Sequence, residues 1–271
     1  VARLRSAVER SYVADVVRRF FQLEILDRCF AIAAQAFVAL LPLEIVFVGL
    51  FFDDGGQTIS NAIGDRFGLD GIARSAIRSL FASPGVKSSI SWMAVFIAVF
   101  SAFSLSRRLS RVYAAIFAIP PLKKSQSWRG IVWVGLQVVL FFTASMLRDF
   151  RRDGGFQIFV GGTLALFVVW FVADLAGLKL LVPTVRVPLL LVTAAVSSLG
   201  RLAVSLWATI YMPNALDHQA SQYGPIGVTF AIFTYLLAGA LVYTGAPLLV
   251  TTWVMRRDAR TTSLYPAQTD I

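Results

Sequence analysis

The feature that most constrains this chain is its succession of long apolar runs, each close to the length a helix needs to cross a lipid bilayer. A helix rises 1.5 Å per residue, so a hydrocarbon core of about 30 Å calls for roughly 20 apolar residues. Six segments meet or approach that length: residues 29–52, 89–105, 130–147, 156–176, 188–212 and 224–254. The last is longer than one crossing needs and leaves room for tilt or a kink. Composition agrees. The chain is 57% hydrophobic and only 15% charged, where a soluble chain carries about 25% charged residues. The surplus apolar surface calls for lipid as its solvent. The run that starts at Cys29 is too long, and begins too far along, for the apolar core of a signal peptide. The expected fold is therefore all-α: a polytopic membrane helix bundle of about six transmembrane helices with short amphipathic extra-membrane helices. It is read as a single transmembrane domain over residues 1–255, followed by a flexible cytoplasmic tail over 256–271.

The basic residues between the runs are unevenly shared. Of the 25 lysines and arginines, 17 precede the first run, lie in the second-to-third and fourth-to-fifth connections, or follow the last run. The other connections hold 7, and Arg201 lies inside the fifth run. Cytoplasmic segments carry the Lys/Arg excess, so both termini are expected in the cytoplasm. The net charge is +10, and the basic residues crowd the ends of the apolar runs. It points to membrane lipids as partners rather than nucleic acid.

Three stretches outside the spans have helical spacing. Leu4, Val8, Val16, Phe20 and Leu23 fall near one stripe of an N-terminal amphipathic helix, with arginines elsewhere. Such a helix either lies among lipid headgroups or packs on the cytoplasmic ends of the bundle. A short external helix is expected over residues 70–81. After the second span, Leu109, Val112, Tyr113 and Ile116 oppose Arg107, Arg108 and Arg111 until Pro120-Pro121 stops the helix.

Ionisable groups inside a span are costly and are functional candidates by default. Arg201 lies 13 residues past Pro188, about 20 Å along its helix. Glu44 lies 15 residues past Cys29, about 22 Å from the same side. The matched depths allow a pair, either as a polar site for an anionic or zwitterionic substrate or as a structural ion pair that lets Arg201 be inserted. Gln35, nearer the cytoplasmic end, completes the candidate substrate-binding set. Asp174 is read as interfacial, and His218, beside Asp217 in a short external loop, as solvated. Pro42 and Pro247 are expected to kink or break their helices. Gly227 with Ala231, and Ala194 with Ser198, are one turn apart and suit close helix approach. Arg107, Arg108 and Arg111 either hold anionic lipid headgroups, with Lys123, Lys124 and Arg129 adding to the field, or serve topology alone.

No enzyme is expected. The chain has no Gly-rich phosphate loop followed by Lys, no paired-His motif and no Gly-x-Ser-x-Gly elbow. Its one cysteine and one histidine preclude an internal disulfide and leave too few soft ligands for a usual zinc site. No catalytic residue, metal or cofactor is named.

The first run contains Ala33-Ala34-Gln35-Ala36-Phe37 followed by Leu41-Pro42. The middle carries Arg107, Arg111, Tyr113 and Trp128-Arg129, and the end carries Tyr211, Tyr223-Gly224, Gly227 and Gly245-Ala246. In these stretches the chain resembles the YihY/BrkB family of bacterial inner-membrane proteins. The first motif is shortened between Phe37 and Pro42, and Pro247 stands where the family continues with Glu. The resemblance implies six spans and an inner-membrane location. Some members carry the label ribonuclease BN, an activity whose clustered metal ligands have no counterpart here. Others are linked to envelope lipid export. The expected function is a transporter or flippase-like protein for an envelope lipid or amphiphile. The alternative is a non-transporting membrane scaffold for envelope assembly.

Overall fold

The computed structural model describes residues 12–51, 75, 92–152 and 156–258. These residues form seven α-helices: α1 (Tyr12–Gln22), α2 (Ile25–Phe51), α3 (Trp92–Phe117), α4 (Trp128–Arg152), α5 (Phe156–Leu181), α6 (Val187–Tyr223) and α7 (Pro225–Asp258). A 3₁₀ turn, Lys124–Gln126, precedes α4. The architecture is all-α, as the apolar periodicity predicts. The first three expected spans fall on α2, α3 and α4, apart from residues 52 and 89–91, which lie outside the described residues. So do the tail beyond Asp258 and the expected helix over 70–81, except for Ser75, which is helical.

Among the described residues three helices are long and apolar enough to cross a membrane: α5 over Val160–Leu181, α6 over Val187–Tyr223 and α7 over Ile226–Arg257. At most 39% of the most apolar window of each is buried within the protein. Val160, Leu164, Val168 and Val172 are exposed at every fourth position of α5 and form one aliphatic stripe. Leu166, Trp170, Ala173 and Leu178 on the same helix are buried. An aliphatic stripe of this kind is an expected lipid-facing surface.

By internal contacts the chain divides into two compact units. Unit 1 is Val1–Phe30, Ser106–Gly200 and Leu241–Ile271; unit 2 is Ala31–Leu105 and Arg201–Ala240. The divisions fall inside α2, α3, α6 and α7.

In unit 1 the second half of α3 buries Leu109, Val112, Tyr113 and Ile116, the four residues its spacing singles out. The helix ends as a Schellman-type cap: the Ile119 N–H donates to the Ala114 carbonyl at 2.9 Å, and Ala118 takes φ +53°. Ala118 thus adopts the left-handed conformation that glycine usually supplies, two residues before Pro120-Pro121. Helix α1 is docked by polar anchors. The Tyr12 hydroxyl donates to the Leu249 carbonyl at 2.8 Å, and Arg256 Nε lies 3.3 Å from Asp15. Burial pushes the Tyr12 phenol above its ordinary value, so it stays protonated as the donor. Arg19 Nη1 donates to the hydroxyls of Thr251 (3.1 Å) and Thr252 (2.9 Å), and Nη2 donates to the Ile116 carbonyl at 3.0 Å. Of the two placements considered for this helix, the structure shows packing on α7. Its other apolar stripe, Val13, Val17 and Phe21, faces outward, with Phe21 71% exposed.

Unit 2 holds an α6–α7 hairpin. Ala208, Met212, Leu216 and Ala220 of α6 pack with Val228 and Ala231 of α7, and Ile232 and Tyr235 cover them. The expected loop around His218 is instead helix: α6 carries Pro213 within it and runs to Tyr223. The apolar stripe simply continues at four-residue spacing beyond the proline, and its burial outweighs the lost backbone bond. Asp217 and His218 are exposed on the outer side of that helix. Gly224 alone makes the turn into α7, at φ +59°. Pro42 and Pro247 likewise do not end their helices; α2 and α7 continue through them.

Candidate functional site

The second half of α3 places two kinds of side chain in alternation. Ser106 and Ser110 repeat at four residues and are buried; Arg107 and Arg111 repeat beside them and are exposed. The chain then turns through Pro120-Pro121 and the 3₁₀ turn, where the Gln126 N–H donates to the Lys123 carbonyl at 2.9 Å. Ser127 occupies the N-cap position of α4, its carbonyl accepting from the Gly130 N–H at 3.0 Å. Gly130 lies so close to α3 that a Cβ there would fall on Ser106 Oγ. This close approach brings the start of α4 against the arginine face of α3. Between them lies a cavity of about 120 Å³, lined by Arg107, Arg111, Gln126 and Ser127 and floored by Ser106 and Ser110.

The cavity is cationic on two counts. Arg107 and Arg111 place two positive charges four residues apart along its α3 wall. The N-terminus of α4 adds partial positive charge and backbone donors in its first turn. Leu181, at the carboxyl end of α5, also lines the cavity. Its carbonyl accepts from the Ser110 hydroxyl at 3.4 Å, which gives one acceptor at that helix end a partner. Among the described residues that line it there is no carboxylate.

No family model, curated protein or solved structure matches the chain. Its chemistry must therefore be read from its own residues.

The sequence-predicted residues divide between the two units. Of the basic trio, Arg107 and Arg111 line the cavity, while Arg108 lies off it and is half-buried. Gln35, in unit 2, is half-buried on α2, and its side-chain amide donates to the Ser104 hydroxyl. Arg201 is half-buried on α6. Glu44 is on α2, and its side chain lies outside the described residues. Asp174 is buried within the protein: it is 4% exposed and accepts from the Ser198 hydroxyl at 3.1 Å. The hydroxyl on the neighbouring helix satisfies a carboxyl group that water would otherwise have to solvate. Among the described residues no three His, Cys, Asp or Glu side chains come together as a metal site would require.

Sequence reasoning missed Ser106, Ser110, Gln126 and Ser127 as cavity residues, and Arg19 as a docking anchor. The Ser-Arg pair repeated at 106–107 and 110–111 is a visible signal for the first two. Nothing local marks Gln126 or Ser127, which reach the site only because Gly130 permits close contact with Ser106.

Proposed function

We propose that this chain is a six-span protein of the bacterial inner membrane, with both termini cytoplasmic, that handles an anionic envelope lipid or amphiphile as a transporter or flippase. The observation that carries this reading is the cationic cavity beside Arg107 and Arg111, set in a unit whose helices expose aliphatic stripes. Two exposed tryptophans support an interfacial depth for that unit. Arg129 lies 5.8 Å from the Trp128 ring centroid, and Arg257 lies 5.3 Å from that of Trp253. Amphipathic rings beside cations suit the headgroup layer. The outward stripe of α1 suits a helix lying at the same surface. The resemblance to the YihY/BrkB family points the same way. The second reading, a non-transporting scaffold, is favoured by close helix contacts at Gly130, Gly200 and Gly227, where a Cβ would clash.

Reconstitution into liposomes distinguishes the two. A transporter accelerates scrambling or flux of a labelled anionic phospholipid over protein-free vesicles; a correctly inserted protein that leaves the rate unchanged favours the scaffold. Labelling of a cysteine at position 125 from outside the cell would reverse the proposed orientation.

Within this reading Glu44 and Arg201 form a charged pair inside the membrane, motivated by their matched depths along α2 and α6. A double-mutant cycle with Glu44→Gln and Arg201→Gln should show coupling of about 1 kcal/mol or more in detergent unfolding. Additive effects would mean the two do not meet.

A further inference from the structure

We infer that the α3–α4 cavity is a binding site for the phosphate of an anionic phospholipid, whose acyl chain lies along the outer face of α4. The inference deepens the membrane reading above and rests on it.

The polar end of the site is built from two guanidinium groups, the Gln126 side chain and the first turn of α4. Arginine forks and helix N-termini are the two protein groups best matched to phosphate oxygens. A cavity of about 120 Å³ accommodates a group of phosphate size without enclosing it. The apolar end begins directly beside it. Trp128, the first residue of α4, is 56% exposed. Ile131, Val132 and Val139 follow it as exposed residues on the same face of the helix. Gly135, also on that face, is exposed, with open space where a side chain would stand. From Trp128 to Val139 this stripe runs about 16 Å at 1.5 Å per residue, close to half the thickness of a hydrocarbon core of about 30 Å. A cationic pocket at the head of an apolar strip one leaflet long matches the shape of a phospholipid. A free phosphate or a soluble phosphorylated compound would use the pocket and leave the strip idle.

The test uses the full chain in nanodiscs and two variants. Arg107→Gln/Arg111→Gln removes the forks. Ser127→Asp keeps a good N-cap residue at the start of α4 and so preserves folding, while placing a carboxylate at the cavity. Binding of phosphatidylglycerol against a phosphatidylcholine background is read by native mass spectrometry, and inorganic phosphate serves as competitor. Each basic residue near an anionic surface contributes attraction equivalent to about fivefold in affinity, so the double variant should lose about thirtyfold. Ser127→Asp should lose a similar order, with an unchanged unfolding transition. Retention of phosphatidylglycerol by both folded variants would overturn the site. Displacement of the lipid by inorganic phosphate at equal concentration would overturn the role of the α4 strip. Because the measurement is of equilibrium binding, absence of lipid scrambling in liposomes leaves its outcome unaffected.

Discussion

Gly227→Ala should cost about 3 kcal/mol and lower the thermal unfolding midpoint of the purified protein, an effect at the upper end of ordinary overpacking. A Cβ at this position would overlap the Gln219 carbonyl oxygen and lie 2.6 Å from its carbon. Those atoms are backbone of α6, so no side-chain rotation relieves the clash. Relief requires the hairpin to open, which would pull Val228 and Ala231 away from Met212, Leu216 and Ala220. Gly239→Ala is the control in the same helix. Nothing lies within 4 Å of a Cβ there, and alanine is favoured over glycine inside a helix by up to about 1 kcal/mol. That variant should be neutral or slightly more stable. Tryptophan fluorescence during heating in detergent reads both. Equal midpoints for Gly227→Ala and the wild type would show that the close approach is not required.

Arg19→Met should loosen α1 while leaving the rest of unit 1 folded. The Arg19 guanidinium joins three groups from two other helices: the Thr251 and Thr252 hydroxyls on α7 and the Ile116 carbonyl in the last turn of α3. The two threonine hydroxyls donate to carbonyls of their own helix, Pro247 and Leu248, and so present their lone pairs to the arginine. The Ile116 carbonyl is one of the groups a helix end leaves without an internal partner, and a cation suits that end. Bonds to charged groups contribute about 1.5–3 kcal/mol each when well shielded. Partial solvent screening of Arg19 reduces their sum to about 3 kcal/mol. Methionine keeps the length and helix preference but has no donor. Tyr12 and Asp15 still tether α1, so the expected result is faster amide exchange across Tyr12–Gln22 and easier tryptic cleavage after Arg18, without global unfolding. Lysine at this position keeps the charge but not the fork and should fall between the two. Wild-type exchange rates in the methionine variant would show that Arg19 does not hold the helix.

Arg107 and Arg111 are four residues apart on one helix, a relation set by helical geometry alone. Their use as a site depends on Gly130, whose missing side chain lets α4 begin against Ser106. A side chain at 130 would hold the α4 terminus away and leave the arginines on an open surface.

The limits of sequence reading follow from the range of the forces involved. Helix type, apolar spans and the buried face of α3 are local properties. Leu109, Val112, Tyr113 and Ile116 recur at the period of a helix, and any partner surface would bury the same four. Apolar length likewise marks α5, α6 and α7 as able to cross a membrane before any contact is known. Proline and polar content misled around residues 213–223, because the decisive quantity there was burial of Met212, Leu216 and Ala220 against α7. The burial of Asp174 was likewise not legible locally: it accepts a hydrogen bond from Ser198, on a different helix. Tertiary structure alone decided the partners of Arg19, the packing of Gly227 on Gln219 and the joining of Ser127 to Arg107 and Arg111. Each of these depends on short-range contact between residues distant in the chain or across a turn, and periodicity within one helix carries no information about which neighbour will meet it.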